Sequence, residues 1–242
     1  MTYWVLYNQG MPEDIPNEVI STPSVESQNL EQLFGRKIKD GVYQNDEVGI
    51  LTKVISESDP ERERKVKQAE LYKKFGGTGM IQKFIGEGTI KDGTYYWQQE
   101  LIKNSVQLNE YLVTIQQGVS SDIEQVFPLE SINDFVNRLR KTFISVPYEH
   151  GDLIGFAGGG LSGRADLQVN TSNISVEQLE NSEIRLHVID WFGGLHGLNE
   201  EKTPYGSNKN DPRYLEVERI KEGLLQTYSQ LSDLLSRKEK LI

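Results

Sequence analysis

The sequence predicts an α+β fold, in which a mixed or antiparallel sheet is covered by helices and closed by a long C-terminal helix. Apolar runs rich in β-branched residues, such as VGILTKVI at 48–55, are typical of strands. Two similar hexapeptides, IKDGVY at 38–43 and IKDGTY at 90–95, carry the Asp-Gly pair that favours tight hairpin turns. Apolar residues spaced three or four apart, most regularly in 212–240, indicate helices.

The N-terminal half alternates predicted strands with predicted helices. Asp59 and Pro60 supply an N-cap and a proline at the first helical position, so we expect a helix there that ends at the Gly76-Gly77 pair. The stripe of Leu101, Leu108, Leu112 and Ile115 predicts a helix over the whole of 97–117. In order, the expected elements are a strand at 2–7, a short helix at 29–34, a strand at 48–55, a helix from 59 to 75, strands at 80–85 and 88–96, and the helix at 97–117.

The C-terminal half is expected to hold two longer helices and several short elements. Ser175 and Gln178 form a capping-box pattern that predicts a small helix at 175–179. The other expected elements are a helix that begins at Ser131, strands at 153–157, 164–169 and 183–192, and a last helix from Pro212 to about Lys240. The last helix would be about 40 Å long, which suits either a span across the domain or a seam with a second copy of the chain. We expect residues 1–242 to form a single globular domain, with a weak internal boundary near 118–128.

The composition narrows the classes of function. The formal net charge is −10 and the sequence contains no cysteine, which excludes thiolate chemistry and cysteine-bound zinc. An acidic chain is poorly suited to broad nucleic-acid binding, which needs a basic surface. No apolar run is long enough to span a membrane, and the N-terminus lacks the pattern of a signal peptide, so we expect a soluble, cytoplasmic protein.

The stretch from 146 to 198 concentrates the residues that can carry chemistry. It contains all three histidines and the two densest glycine clusters. Bare backbone in the first cluster would let a ligand approach closely and would point amide groups at an anion. The candidate ligand-binding residues are Gly158, Gly159, Gly160, Ser162, Arg164 and His196.

Carboxylates and imidazoles in the same stretch are candidates for a metal site. Nitrogen and oxygen ligands of this kind suit Zn²⁺, Mn²⁺ or Mg²⁺. The candidate ligands are His150, Asp152, Asp166 and Asp190, and a divalent metal is therefore the cofactor that the sequence suggests. Asp190 follows an apolar strand, where a carboxylate needs a partner or a metal.

The segments GRADLQV and LHVIDWF resemble the catalytic core of RecB-type PD-(D/E)xK nucleases. The resemblance implies that Asp166 is the first catalytic acid and Asp190 the second. In a hydrolase of this kind, His150 or His187 would serve as a metal ligand or general base. The family has a lysine two residues after the second acid, where this sequence has Phe192.

Two functions follow from these observations. The first is a soluble acidic binding protein, an accessory, inhibitor or immunity-like module that acts through a protein partner or a small ligand. The second is a metal-dependent phosphodiester hydrolase or nuclease that uses Asp166, Asp190 and His187. Whether the chain is an enzyme stays open, and convergence of these side chains in space would favour the hydrolase.

Overall fold

The computed structural model describes residues 30–90, 93–117, 122–146, 153–156, 167–180, 183–191 and 211–239. These residues form antiparallel sheets and helices that include a long C-terminal helix, which confirms the α+β class. The strands are β1 Arg36–Lys39, β2 Val42–Asn45, β3 Ile50–Ile55, β4 Phe84–Thr89, β5 Tyr95–Glu100, β6 Ser105–Gln107, β7 Ile154–Phe156, β8 Leu167–Val169, β9 Ile174–Gln178 and β10 Ile184–Val188. The helices are α1 Leu30–Phe34, α2 Arg62–Phe75, α3 Leu108–Gln117, α4 Ile123–Val126, α5 Leu129–Ser145 and α6 Pro212–Glu239.

The largest sheet has five antiparallel strands in the order β1-β2-β3-β5-β4. The first Asp-Gly pair forms the predicted turn between β1 and β2, and Gly41 has a φ of 70°. A Cβ at Gly41 would lie 2.6 Å from the carbonyl oxygen of Val54, so a side chain does not fit there. Opposite residues in β3 and β5 share a face of the sheet, and Lys53 lies directly beside Trp97 in this register.

Helix α2 connects β3 to β4 and packs against one face of the five-stranded sheet. The prediction placed its start at Asp59, but the helix begins at Arg62. The carboxylate of Asp59 accepts a hydrogen bond from the backbone N–H of Glu61 at 2.8 Å, so it stabilises a turn before the helix. Tyr72 of α2 is fully buried, and its ring centroid lies 4.8 Å from that of Trp97.

The second sheet has three strands in the order β10-β9-β6, and β7 pairs with β8 separately. Two predictions were wrong in this region. The segment 97–117 is not one helix: its first part completes β5, β6 follows, and only Leu108–Gln117 is helical. The segment 175–179 lies in strand β9, which pairs on both sides and so satisfies the backbone groups that a helix would have used.

Helix α5 packs on the second sheet, and α6 packs on α5 and on the β7–β8 pair to complete the core. The hydroxyl of Ser131 and the guanidinium of Arg138 donate to carbonyl oxygens of the edge strand β10, at 3.0 Å and 2.5 Å. The predicted last helix is confirmed, and its apolar stripe contributes to the same cluster of buried side chains as both sheets. Because this stripe is filled within the chain, the predicted seam with a second copy stays a prediction. None of the helices in the described ranges is long and apolar enough to cross a membrane.

Candidate functional site

The candidate site is built around the segment 188–191, which follows β10 and lies between the two sheets. Asp190 in this segment has a φ of 57°, in the left-handed region that aspartate and asparagine enter more readily than most residues. Trp191 is fully buried, and its ring meets the ring of Phe143 edge to face with centroids 5.8 Å apart. The tryptophan therefore anchors the segment in the core while the preceding carboxylate points toward the five-stranded sheet.

The carboxylate of Asp190 forms an ion pair with the amine of Lys53, which comes from the middle of β3. The lysine side chain is 12% exposed and the aspartate side chain 22% exposed. The lysine Nζ also lies 5.1 Å from the centre of the Trp97 ring, in position for a cation–π contact. Burial lowers the pKa of Lys53 below its ordinary value, and the nearby Asp190 carboxylate opposes that shift.

Three buried side chains hold the backbone of segment 188–191. The amide of Gln68 donates to the carbonyl oxygen of Trp191 at 3.1 Å and accepts from the Lys53 amine at 3.3 Å. The hydroxyl of Tyr72 accepts from the Trp191 N–H at 3.3 Å and donates to Gln82 at 3.3 Å. Gln82 in turn donates to the carbonyl oxygen of Val188 at 2.9 Å. The backbone beside Asp190 is therefore fixed to α2 and to the segment before β4.

A second lysine approaches the same carboxylate from the hairpin of β1 and β2. The amine of Lys39 lies 3.9 Å from Asp190, and the lysine side chain is 62% exposed. All four residues of β1 are exposed, so this arm of the hairpin projects from the sheet. Two lysines of the five-stranded sheet thus approach the Asp190 carboxylate.

His187 lies on β10 with a different partner. Its Nε2 is 2.8 Å from the Glu177 carboxylate on β9, on the face of the sheet opposite to Leu186 and Val188. Burial lowers the pKa of His187 below its ordinary value, and the hydrogen bond with Glu177 opposes the shift. The structure thus brings His187 to Glu177 and Asp190 to Lys53, in separate contacts.

The lowered pKa of His187 predicts that the folded state loses stability as the pH falls below about 6.5, the ordinary histidine pKa. In the unfolded chain His187 takes up its proton at a higher pH than in the folded chain, so protonation favours unfolding in that window. The slope from this one residue is at most about 1.4 kcal/mol per pH unit. Urea unfolding of the wild type and of His187→Gln between about pH 5 and 8 measures it. Equal pH dependence in the two proteins would contradict the prediction.

Most of the predicted site residues lie outside the described residues. They are His150, Asp152, Gly158, Gly159, Gly160, Ser162, Arg164, Asp166 and His196, and their assignments stay predictions. Of the predicted metal ligands only Asp190 is described. Within the described ranges, no group of three or more His, Asp or Glu side chains is placed to hold a metal ion.

Sequence reasoning missed the residues that surround Asp190, above all Lys53, Gln68 and Tyr72. The signal for Lys53 was present: a lysine interrupts the apolar strand ILTKVI at a position that alternation directs toward the core. A lysine in that place needs a buried counter-ion.

Comparison with known proteins gives little beyond the fold. No protein-family model matches the sequence, and no curated protein matches it. Among solved structures, the chain is similar to a chain in the crystal structure of the yeast RNA Pol II CTD kinase CTDK-1 complex, with 14% identity and a TM-score of 0.42. The match covers 73% of this chain and 49% of that chain, so it spans about half of the yeast protein's length.

Proposed function

We propose that the chain binds a nucleoside triphosphate through its phosphates at Lys53 and Asp190, and transfers the terminal phosphoryl group to a hydroxyl. The observation that carries the proposal is the ion pair between a lysine inside β3 and an aspartate two residues after the end of β10. A lysine held in a low-dielectric site by an aspartate is suited to receive a phosphate anion, since the ligand can replace the carboxylate as its partner.

Three features of the arrangement resemble parts that protein kinases use for phosphoryl transfer. In those enzymes the phosphate-binding lysine lies on the third strand, a helix residue contacts it, and an aspartate in a D-F-G sequence holds Mg²⁺. Here the third strand carries Lys53, α2 follows it and contacts the lysine through Gln68, and Asp190 opens the sequence D-W-F-G. The chain departs from the pattern at Gln68, where kinases have a glutamate.

The sequence also offers a base for the reaction. Protein kinases place the catalytic aspartate in H-R-D-L-x-x-x-N, and this chain has H-G-D-L at 150–153. Asp166 lies in the similar sequence R-A-D-L at 164–167. We assign the base to Asp152, because the neighbouring Leu153 accepts a backbone hydrogen bond from Asn170 at 2.7 Å. Asn173 lies three residues after Asn170, and its carbonyl oxygen accepts a hydrogen bond from the N–H of Ile189, the residue before Asp190, at 2.9 Å.

We do not assign the same role to Asp166. It directly precedes β8, whose first residue Leu167 pairs with Phe156 at the far end of β7. Asn170 adjoins the opposite end of the pair, next to Leu153. The two ends lie about 7 Å apart along the strands, at about 3.3 Å per residue.

The proposed reaction balances as a simple displacement. The acceptor hydroxyl attacks the terminal phosphorus, the bond from that phosphorus to the bridging oxygen breaks, and the hydroxyl proton passes to Asp152. Lys53 and Lys39 would stabilise the phosphate charge. Mg²⁺, when bound, would neutralise the phosphates further; Asp190 and Asn173 offer the carboxylate and amide oxygens that it prefers, together with the phosphates themselves. Ala157 stands where the kinase pattern has its asparagine, so we assign that role to Asn173, beyond the β7–β8 pair.

This proposal keeps part of the sequence-based hypotheses. A small ligand and a divalent metal remain in it, and Asp190 remains a metal ligand. A protein partner also remains open as the carrier of the acceptor hydroxyl. The nuclease alternative stays a prediction, because its first acid, Asp166, lies outside the described residues.

Binding of ATP by the purified chain tests the proposal directly. We expect calorimetric titration to show ATP binding that Mg²⁺ strengthens, and radiolabelled ATP to give phosphoryl transfer to the chain itself or to an added protein such as casein. A chain that binds no ATP with or without Mg²⁺ would overturn the proposal. Binding without transfer to any acceptor would overturn the catalytic half and leave a nucleotide-binding protein.

A further inference from the structure

We infer that Gln68 is a positioning residue, whose amide group couples helix α2 to the segment that contains Asp190 and so orients the carboxylate that would hold Mg²⁺. The inference rests on the proposed function and deepens it. Gln68 is 1% exposed, and its side chain contacts two elements of the site at once. Its oxygen accepts from the Lys53 amine, and its nitrogen donates to the carbonyl oxygen of Trp191, the residue next to Asp190.

Only an amide can make both contacts. Glutamine has a donor and an acceptor on the same group, whereas an ionised glutamate is an acceptor only and methionine offers neither function effectively. A carboxylate at position 68 would keep the contact with Lys53 but would place negative charge against the carbonyl oxygen of Trp191. The glutamate that kinases have at the corresponding place in the helix would therefore disrupt this contact with the aspartate segment.

The contact acts on the direction of the Asp190 carboxylate. Asp190 has a left-handed backbone conformation, and both backbone polar groups of the following residue, Trp191, are held: Tyr72 accepts from its N–H and Gln68 donates to its carbonyl oxygen. Without the Gln68 contact, the backbone of Trp191 keeps only one of these two hydrogen bonds, the one to Tyr72. Because Lys53 binds phosphate directly while Asp190 acts through the metal ion, we expect the loss to affect the Mg²⁺-dependent part of ATP affinity selectively.

Two variants separate the roles of the amide. Gln68→Met removes both hydrogen bonds with little change in length, and Gln68→Glu keeps the acceptor but removes the donor. Partners that orient a metal ligand typically contribute about 10- to 100-fold to metal affinity or activity. We therefore expect both variants to lose about tenfold or more of the strengthening of ATP binding by Mg²⁺. Affinity for ATP without Mg²⁺ should fall less than affinity with Mg²⁺ in Gln68→Met.

Gln98→Met is the matched control. Gln98 lies on the other face of the same sheet, where its amide donates to the hydroxyl of Thr52 at 3.2 Å, so the same chemical change is made away from the site. This variant should retain the full effect of Mg²⁺ on ATP binding. Thermal melting establishes whether each variant is folded. If Gln68→Met does not fold, the test is made with Gln68→Glu.

The outcomes distinguish the inference from the function on which it rests. A wild-type chain that binds no ATP would overturn the proposed function itself. A wild-type chain that binds ATP more tightly with Mg²⁺, together with a Gln68→Glu variant that keeps this effect in full, would overturn the role of Gln68 and leave the proposed function intact.

Discussion

Replacing Lys53 with methionine is expected to lower the rate of phosphoryl transfer by about a hundredfold or more. Lys53 is the most buried of the cations that face Asp190, and its charge is therefore screened least by water. Methionine keeps the aliphatic length that packs beside Trp97 but removes the charge. Initial rates with radiolabelled ATP, together with calorimetric affinities for ATP, would measure the loss.

The control for this experiment is Lys37→Met. Lys37 lies on β1, pairs with Asp40 at 2.7 Å and is exposed to solvent, so the change removes a nearby charge without touching the site. Both activity and affinity should stay close to those of the wild type. If Lys53→Met retained full activity while folded, the lysine would not bind phosphate and the proposed function would lose its main support.

Replacing Asp190 with asparagine is expected to lower the free energy of unfolding by about 3 kcal/mol, because it removes the counter-ion of a largely buried lysine. Asparagine is chosen because it accepts the left-handed conformation of this position, so backbone strain does not add to the effect. The same variant should lose the strengthening of ATP binding by Mg²⁺. Urea unfolding and calorimetric titration give the two values.

The stability deficit of Asp190→Asn should shrink as the pH rises toward 10. Burial already lowers the pKa of Lys53, and the Asp190 carboxylate is the main group that opposes this shift, so its removal lowers the pKa further. The unfolded chain then binds more protons than the folded chain over a wider range below the ordinary lysine pKa, and stability rises with pH in that range. Asp46→Asn is the control, because Asp46 forms an exposed pair with Arg36 and should contribute little. A deficit that is constant with pH would contradict the buried-lysine explanation.

The helices α5 and α6 could be predicted from sequence because their apolar residues recur at helical spacing over many turns. The segment 97–117 could not, since Leu101 and Leu108 imitate helical spacing although a turn and strand β6 lie between them. The capping-box residues Ser175 and Gln178 likewise led to the wrong prediction of a helix at 175–179. Pairing of β9 with strands on both of its sides outweighed a local preference that is worth little by itself.

The site was harder to predict than the fold. Asp190 could be recognised because an acid at the end of an apolar strand requires a partner. That partner, Lys53, lies 137 residues earlier in the chain, and no spacing rule joins them. The role of Gln68 was also hidden, because a glutamine within a charged helix resembles a solvent-exposed residue until the helix is packed on the sheet.

The exposed strand β1 has a consequence for association between chains. Among the described residues it is an edge of the five-stranded sheet, and an unpaired edge can recruit a strand from another molecule. Three of its four residues, Arg36, Lys37 and Lys39, are basic, and the pairing with β2 is interrupted by an irregularity between Lys37 and Lys39. Like charges and a broken register both discourage strand addition, so the arm that brings Lys39 to Asp190 also protects the sheet against edge-to-edge aggregation.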